Sequence, residues 1–355
     1  MVAPSFRPSG RMLQGCGGLP RRCYKRRSQP EGPLASMDLI ATPKNPIPIG
    51  ASTGYIEPRK GLRLRFASWP SALRERRGTV CIFPGRAEFI EKYFEVVGEL
   101  RRRGFAVAIL DWRGQGGSTR LTWNPLKGHI RDFAEYEEDL AHFMKAAVLP
   151  DCPAPFYALG HSMAAAVLFR VSTKRGCWFS RMVVTAPMVR IARLPMSDRI
   201  CEGLADGLTT LGFGRLAVPG DTSRHRQDPP FEGNLLTSDR ERFLRNVSVL
   251  EVAPQLAVEV PTVGWLNAAL QTVDRIDSEK FAPRVRVPVL MLSANDDRIV
   301  SNRAVETLAT RLKVGSQIVL RGSRHEIMQE RDDIREQFWA AFDAFVGDVA
   351  LSKAR

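Results

Sequence analysis

The sequence predicts an α/β fold: a mainly parallel β-sheet with helices on both faces and a long helical insertion between two core strands. Three observations carry this expectation. Short apolar runs alternate with helical patterns along most of the chain, the rhythm of a parallel sheet covered on both sides. The run Phe156-Tyr157-Ala158-Leu159 passes through Gly160-His161-Ser162-Met163-Ala164 into Ala165-Ala166-Val167-Leu168, which reads as strand, tight turn and helix. Finally, the stretch 188–285 puts roughly 100 residues between two core strands, too many for a connecting loop.

The elements follow in order. After a Pro-rich lead-in at 38–54, strands near 55–58 and 62–68 pair antiparallel at the sheet edge. A strand at 79–83 and a helix at 88–103 come next, then a strand at 105–110. In the helix predicted for 132–148, Phe133, Tyr136, Leu140 and Phe143 recur at three- to four-residue spacing. Strand 155–159 feeds the turn at Ser162 and helix 163–173, and strand 181–186 follows. Within 188–285, helical patterns run from Ile200 to Leu211, from Ser238 to Val247 and from Val263 to Ile276, broken by Gly and Pro. Strand 288–293, helix 302–313, strand 316–320 and helix 330–347 close the domain. No internal repeat is visible.

Ser162 has the context of a nucleophile elbow, where the hydroxyl must stand clear of the backbone and the flanking residues must be small. A serine nucleophile needs a base, and the base an orienting acid. Of the histidines His129, His142, His161, His225 and His325, only His325 lies in the C-terminal part, in a Gly-containing loop after an apolar strand. The acid comes from Asp296 or Asp297, just past the strand Val289-Leu290-Met291-Leu292. All three groups sit beyond the C-terminal ends of predicted strands, where open α/β sheets build their sites. The strand Thr79-Val80-Cys81-Ile82-Phe83 runs into Pro84-Gly85-Arg86, a loop placed to give one oxyanion N–H; Met163 would give the other. The glycines of Asp111-Trp112-Arg113-Gly114-Gln115-Gly116-Gly117-Ser118 match neither phosphate-loop spacing, so a structural loop at the sheet edge is expected.

These segments together, with Asp297-Arg298-Ile299-Val300 and His325-Glu326, resemble the serial motifs of the monoacylglycerol lipase and bacterial lysophospholipase group of α/β-hydrolases, which include serine aminopeptidase-like enzymes. The resemblance covers roughly residues 50–348. It implies a triad of Ser162, Asp297 and His325 in the family's chain order, and oxyanion donors at the N–H groups of Arg86 and Met163. It also implies that 188–285 forms a cap over the serine. Two positions depart from the pattern: Ala164 replaces the last glycine of the elbow, and Arg86 stands where a small residue is common.

The implied activity is hydrolysis of carboxylic esters through an acyl-enzyme, on a monoacylglycerol or lysophospholipid. An amide-cleaving aminopeptidase of the same fold is the alternative, with Glu202, Asp206 or Glu241 to hold an α-amino group. A non-catalytic basic binding protein is a third reading, which the complete set of triad residues disfavours. No cofactor or metal is implied: the histidines are scattered and the six cysteines lack ligand spacing, reading as reduced structural thiols. The net charge of +14 is partly a matter of residues 1–36, which hold seven Lys/Arg against Glu31. That Gly-, Pro-, Ser- and Arg-rich stretch reads as a disordered tail or an over-called start, with Met37 a sensible beginning. The insertion is near neutral, with 12 basic and 13 acidic residues between 189 and 285, so charge alone does not select an anionic substrate. A cytoplasmic location with weak peripheral membrane contact is expected. Nucleic acid is not an expected partner, and oligomeric state is left open.

Overall fold

The computed structural model describes residues 38–192, 194, 196–218 and 231–347, so the expectation for 1–36 lies outside the described residues. Strands β1 (Ser52–Arg59) and β2 (Leu62–Trp69) form a hairpin, followed by β3 (Thr79–Phe83), α1 (Phe94–Arg102), β4 (Ala106–Leu110) and the two-residue β5 (Lys127–Gly128). Next come α2 (Ala134–Phe143), the single turn α3 (Leu149–Asp151), β6 (Phe156–His161), α4 (Met163–Ser172) and β7 (Phe179–Thr185). The insertion carries α5 (Asp198–Leu208), α6 (Arg240–Val252), β8 (Val260–Pro261) and α7 (Val263–Asp277). β9 (Val289–Ala294), α8 (Asn302–Arg311), β10 (Gly315–Leu320) and α9 (Asp332–Gly347) complete the chain.

Eight strands form one sheet in the order β1-β2-β4-β3-β6-β7-β9-β10. β2 pairs antiparallel with β1 and β4, and the pairings from β4 to β10 are all parallel. β3 and β4 are buried at every position, as their uninterrupted apolar runs require when both faces are covered. On one face, Val80, Ile82, Val107 and Leu159 pack with α1 and α9. On the other, Cys81, Phe83, Ala158 and Met182 pack with α2, α4, α7 and α8.

Three differences from the expected elements have physical causes. The helix expected at 88–103 begins as a 3₁₀ turn at Ile90–Tyr93 before α1, because Glu91 and Lys92 there turn into buried ion pairs. The helix at 132–148 widens into a π turn at Met144–Val148. Most consequentially, α7 packs with the sheet. Trp265, Ala268, Ala269, Val273 and Ile276 are buried in the same cluster as the sheet, so α7 serves as the crossover helix that joins parallel β7 to β9. The span 188–285 therefore contributes α7 to the core.

Candidate active site

Ser162 lies between β6 and α4 with φ 51 and ψ −113, a strained conformation for a residue with a Cβ. Its surroundings hold it there. The Ser162 N–H donates to the Thr185 carbonyl at 3.0 Å, and its carbonyl accepts from Ala165 at 3.0 Å and Met188 at 3.1 Å. A Cβ on Gly160 would stand 2.5 Å from the Leu168 Cδ1, so a larger residue there would have to displace that side chain, which packs between strand and helix. Ala164 is fully buried inside α4, where helical backbone accepts its methyl without strain.

Three of the predicted residues meet at this point. The Ser162 Oγ lies 2.9 Å from His325 Nε2, and His325 Nδ1 lies 2.8 Å from Asp297 Oδ2. The other Asp297 oxygen accepts the N–H groups of Ile299 at 2.8 Å and Val300 at 3.0 Å. Burial alone would raise the Asp297 pKa. The His325 hydrogen bond and charge, with those two N–H groups, outweigh it and hold the carboxyl below its ordinary value. An ionised Asp297 on Nδ1 leaves Nε2 to accept the serine proton. The neighbouring Asp296 is exposed and accepts from the Asn295 side chain at 2.9 Å, away from the imidazole.

The loop after β3 is braced from below. Gln115 Nε2 donates to the Gly85 carbonyl at 2.8 Å, while its Oε1 accepts from the Ala87 N–H at 3.2 Å; Trp112 Nε1 donates to the Pro84 carbonyl at 2.8 Å. These bonds explain the 111–118 motif as a structural loop. Asp111 accepts from Gly117 N–H at 2.7 Å, from Ile90 N–H at 3.0 Å and from Arg65 Nε at 2.8 Å. A Cβ on Gly116 would meet the Asp111 carboxyl at 2.2 Å, which accounts for that glycine. Met163 is the first residue of α4, and its N–H is one of the donors that a helix start leaves without an intrahelical partner. The Arg86 side chain turns toward the insertion, with Nη1 donating to the Glu259 carbonyl at 3.1 Å and the guanidinium 5.6 Å from the Trp265 ring centroid.

Sequence reasoning missed a buried charge cluster that ties these loops together. Lys92 Nζ donates to Glu88 at 2.8 Å and to Glu326 at 2.5 Å. Glu88 belongs to the loop after β3; Glu326 directly follows His325. The Glu88 carboxylate also accepts the Gly85 N–H and, at 2.6 Å, the Tyr93 hydroxyl. Burial pushes Lys92 toward its neutral form, yet Glu326 and Glu88 raise its pKa above the ordinary value. His161 is pushed down to about 4, mainly by burial, and so is neutral at pH 7. The Glu88-x-x-x-Lys92 spacing was the available signal, since such residues face one way on a helix, but nothing in the sequence joins it to Glu326.

The insertion reaches the site from two sides. The Leu236 carbonyl accepts from the Glu326 N–H at 2.7 Å, and Arg324 donates to the Asn234 carbonyl at 3.1 Å and the Thr237 carbonyl at 3.0 Å. The other contact is Arg86 with Glu259 and Trp265. Of the carboxylates considered for an α-amino group, Glu202 is half-buried on α5 and Glu241 exposed on α6. Asp206 accepts from Asn267 at 3.4 Å.

Comparison with known proteins gives this geometry its setting. The family model described as serine aminopeptidase, S33, matches residues 74–332. The chain belongs to this family of α/β-hydrolases. Lysophospholipase L2 of Escherichia coli (strain K12) is 31% identical over 288 residues, spanning 77% of this chain and 80% of that protein. The probable lysophospholipase L2 of Haemophilus influenzae is 25% identical over 295 residues, 83% of this chain and 91% of its own. Among solved structures, a soluble variant of monoglyceride lipase from Saccharomyces cerevisiae superposes with a TM-score of 0.67 at 16% identity, covering 84% of this chain and 96% of that one, a likeness of fold. The chain is an ester-hydrolysing serine hydrolase. Among the described residues, no helix is long and apolar enough to cross a membrane.

Proposed function

We propose that Ser162, His325 and Asp297 are the catalytic triad of a hydrolase acting on single-chain lipid esters, a monoacylglycerol or a lysophospholipid. The observation that carries the assignment is the unbroken chain of hydrogen bonds from Ser162 Oγ through both ring nitrogens of His325 to Asp297. Ser162 attacks the ester carbonyl as His325 Nε2 takes its proton. The N–H groups of Met163 and Arg86 receive the oxyanion, each donor worth about 10²–10³ in rate. The imidazolium, stabilised by Asp297, then protonates the leaving alcohol, and water repeats the sequence on the acyl-enzyme.

The lipid-ester reading rests on the two lysophospholipase relatives and on the portion of the insertion that carries α5 and α6, which we assign as the cap. Ile200, Leu204 and Leu208 recur at four-residue intervals on α5 and are 52%, 51% and 38% exposed. An apolar stripe of this kind suits acyl chains and peripheral contact with a membrane. The amide-cleaving alternative would need a carboxylate to hold an α-amino group.

The test is a substrate panel of monoacylglycerols, lysophospholipids, short-chain esters and aminoacyl amides. The expected result is hydrolysis of acyl glycerols that rises with chain length, since each buried CH₂ contributes about 0.8 kcal/mol. Cleavage of aminoacyl amides with none of acyl glycerols would overturn the substrate reading.

A further inference from the structure

Three arginines meet at a cleft of about 340 Å³ lined by Arg59, Leu121, His129, Arg131, Glu135 and Arg215. Arg59 comes from the end of β1, His129 and Arg131 from the loop after β5, and Arg215 from the insertion. Among the described residues, Glu135 is the one carboxylate that lines the cleft, and it is already engaged: its Oε2 lies 2.7 Å from the buried Arg113 and 3.5 Å from Arg59. No carboxylate among the described residues pairs with the side chain of Arg131 or Arg215. His129 is buried and held by the Thr262 hydroxyl, 2.8 Å from its Nδ1. Its pKa is lowered first by burial and then by the charges of Arg215 and Arg131, with Glu135 opposing.

Among the described residues, three guanidinium groups line this cleft beside one occupied carboxylate, a site short of negative charge. Guanidinium forks match the tetrahedral oxygens of phosphate, and a half-closed cleft strengthens each such bond. The surroundings favour a lipid as the carrier. Arg215 is flanked by Leu211, Phe213 and Leu216, which are 72%, 49% and 51% exposed. We infer that this cleft binds the phosphate of a lipid head group, with Arg131 and Arg215 as its principal ligands. The inference deepens the lipid-ester reading and rests on it for the choice of lipid over other phosphates, while the anion site stands independently of hydrolysis.

Calorimetric titration with sn-glycerol 3-phosphate in chloride buffer tests it, on both the wild-type chain and Ser162→Ala. Both should bind saturably, and Arg131→Gln/Arg215→Gln should weaken binding about 10- to 100-fold. Arg131→Lys/Arg215→Lys, which keeps the charge without the fork, should fall between them and serves as the folding control. Two further arms separate the sources of the phosphate. Loss of association with vesicles of phosphatidylglycerol, but not of phosphatidylcholine, marks a bilayer lipid. A raised KM for lysophosphatidylglycerol with that for monoacylglycerol unchanged marks the substrate. No saturable binding of glycerol phosphate, or equal binding by the Gln variant, would overturn the site. Retention of the wild type by duplex DNA with no effect in either lipid arm would overturn the lipid assignment. A wild-type chain that binds glycerol phosphate but hydrolyses none of the esters would overturn the hydrolase reading and leave the site standing.

Discussion

Around Ser162, the polar groups of three loops are locked to one another. Lys92 bridges Glu88 and Glu326, Gln115 grips the backbone on both sides of Arg86, and Asp297 is held by His325 and two backbone N–H groups. On the insertion, α5 and the turn after it leave Ile200, Leu204, Leu211, Phe213 and Leu216 facing solvent, and Arg215 opens onto a cleft short of anions. The floor of the site is complete without substrate; the roof is not. Catalytic groups must be preorganised, because the barrier rises with every group that has to be repositioned. A surface that recognises lipid has to leave its apolar and cationic contacts unmade until the ligand arrives.

The widest contrast within the floor is between adjacent acids. Asp297→Asn should lower kcat about 10⁴-fold, because an amide no longer fixes the imidazole tautomer, while Asp296→Asn should change it by less than about threefold. Steady-state kinetics on a soluble ester read both. Equal effects would mean that the Asp297–His325 contact carries no catalytic burden.

The next test removes the pin beneath the loops. Lys92→Met leaves Glu88 and Glu326 buried without their cation, and such a loss costs about 3–5 kcal/mol of stability. Urea unfolding should show that loss, and kcat should fall about 10- to 100-fold in the protein that remains folded, since both the loop after β3 and the loop of His325 lose an anchor.

The insertion and the core are joined by a second ion cluster. Glu95 on α1 accepts from Arg242 Nε at 2.9 Å and Arg245 Nη1 at 2.6 Å, both on α6, and also pairs with Arg335 on α9. Burial would raise the Glu95 pKa, but the Arg242 bond and the neighbouring guanidinium charges hold it at about 2, below its ordinary 4.5. A depressed carboxylate pKa contributes stability that is fully present above pH 4.5 and is lost as pH falls toward 2. Glu95→Gln should therefore cost about 1–2 kcal/mol at pH 7 and flatten the acid limb in that window, followed by urea unfolding at several pH values. An unchanged acid limb would show that α6 is not anchored through this cluster.

The smallest effect belongs to the roof. Leu204→Ser should lower hydrolysis of long-chain monoacylglycerol presented in vesicles by about 3- to 10-fold and leave a short soluble ester nearly untouched. An equal loss on both would move Leu204 from recognition to folding.

Much of the floor was legible because its signals are local. The alternation of buried strands and amphipathic helices is written residue by residue, and the elbow at Ser162 needs only a dozen neighbours. The choice of Asp297 over Asp296 came from the resemblance, not from spacing. What escaped was non-local. Lys92 and Glu326 are 234 residues apart, and the charges of Arg59, Arg131 and Arg215 look unremarkable in a count over segments. The β5–β8 pairing is two residues long, too short to show a period. Helix α7 has the same amphipathic pattern whether it packs on a cap or a sheet, so its membership of the core appeared only in its contacts.

The account turns on Ser162 as nucleophile, and a fluorophosphonate probe with peptide mapping by mass spectrometry tests it most directly. The adduct should appear on Ser162, be absent from a folded Ser162→Ala chain, and form far more slowly in Asp297→Asn. A stable adduct on another residue, or undiminished labelling of folded Ser162→Ala, would contradict it.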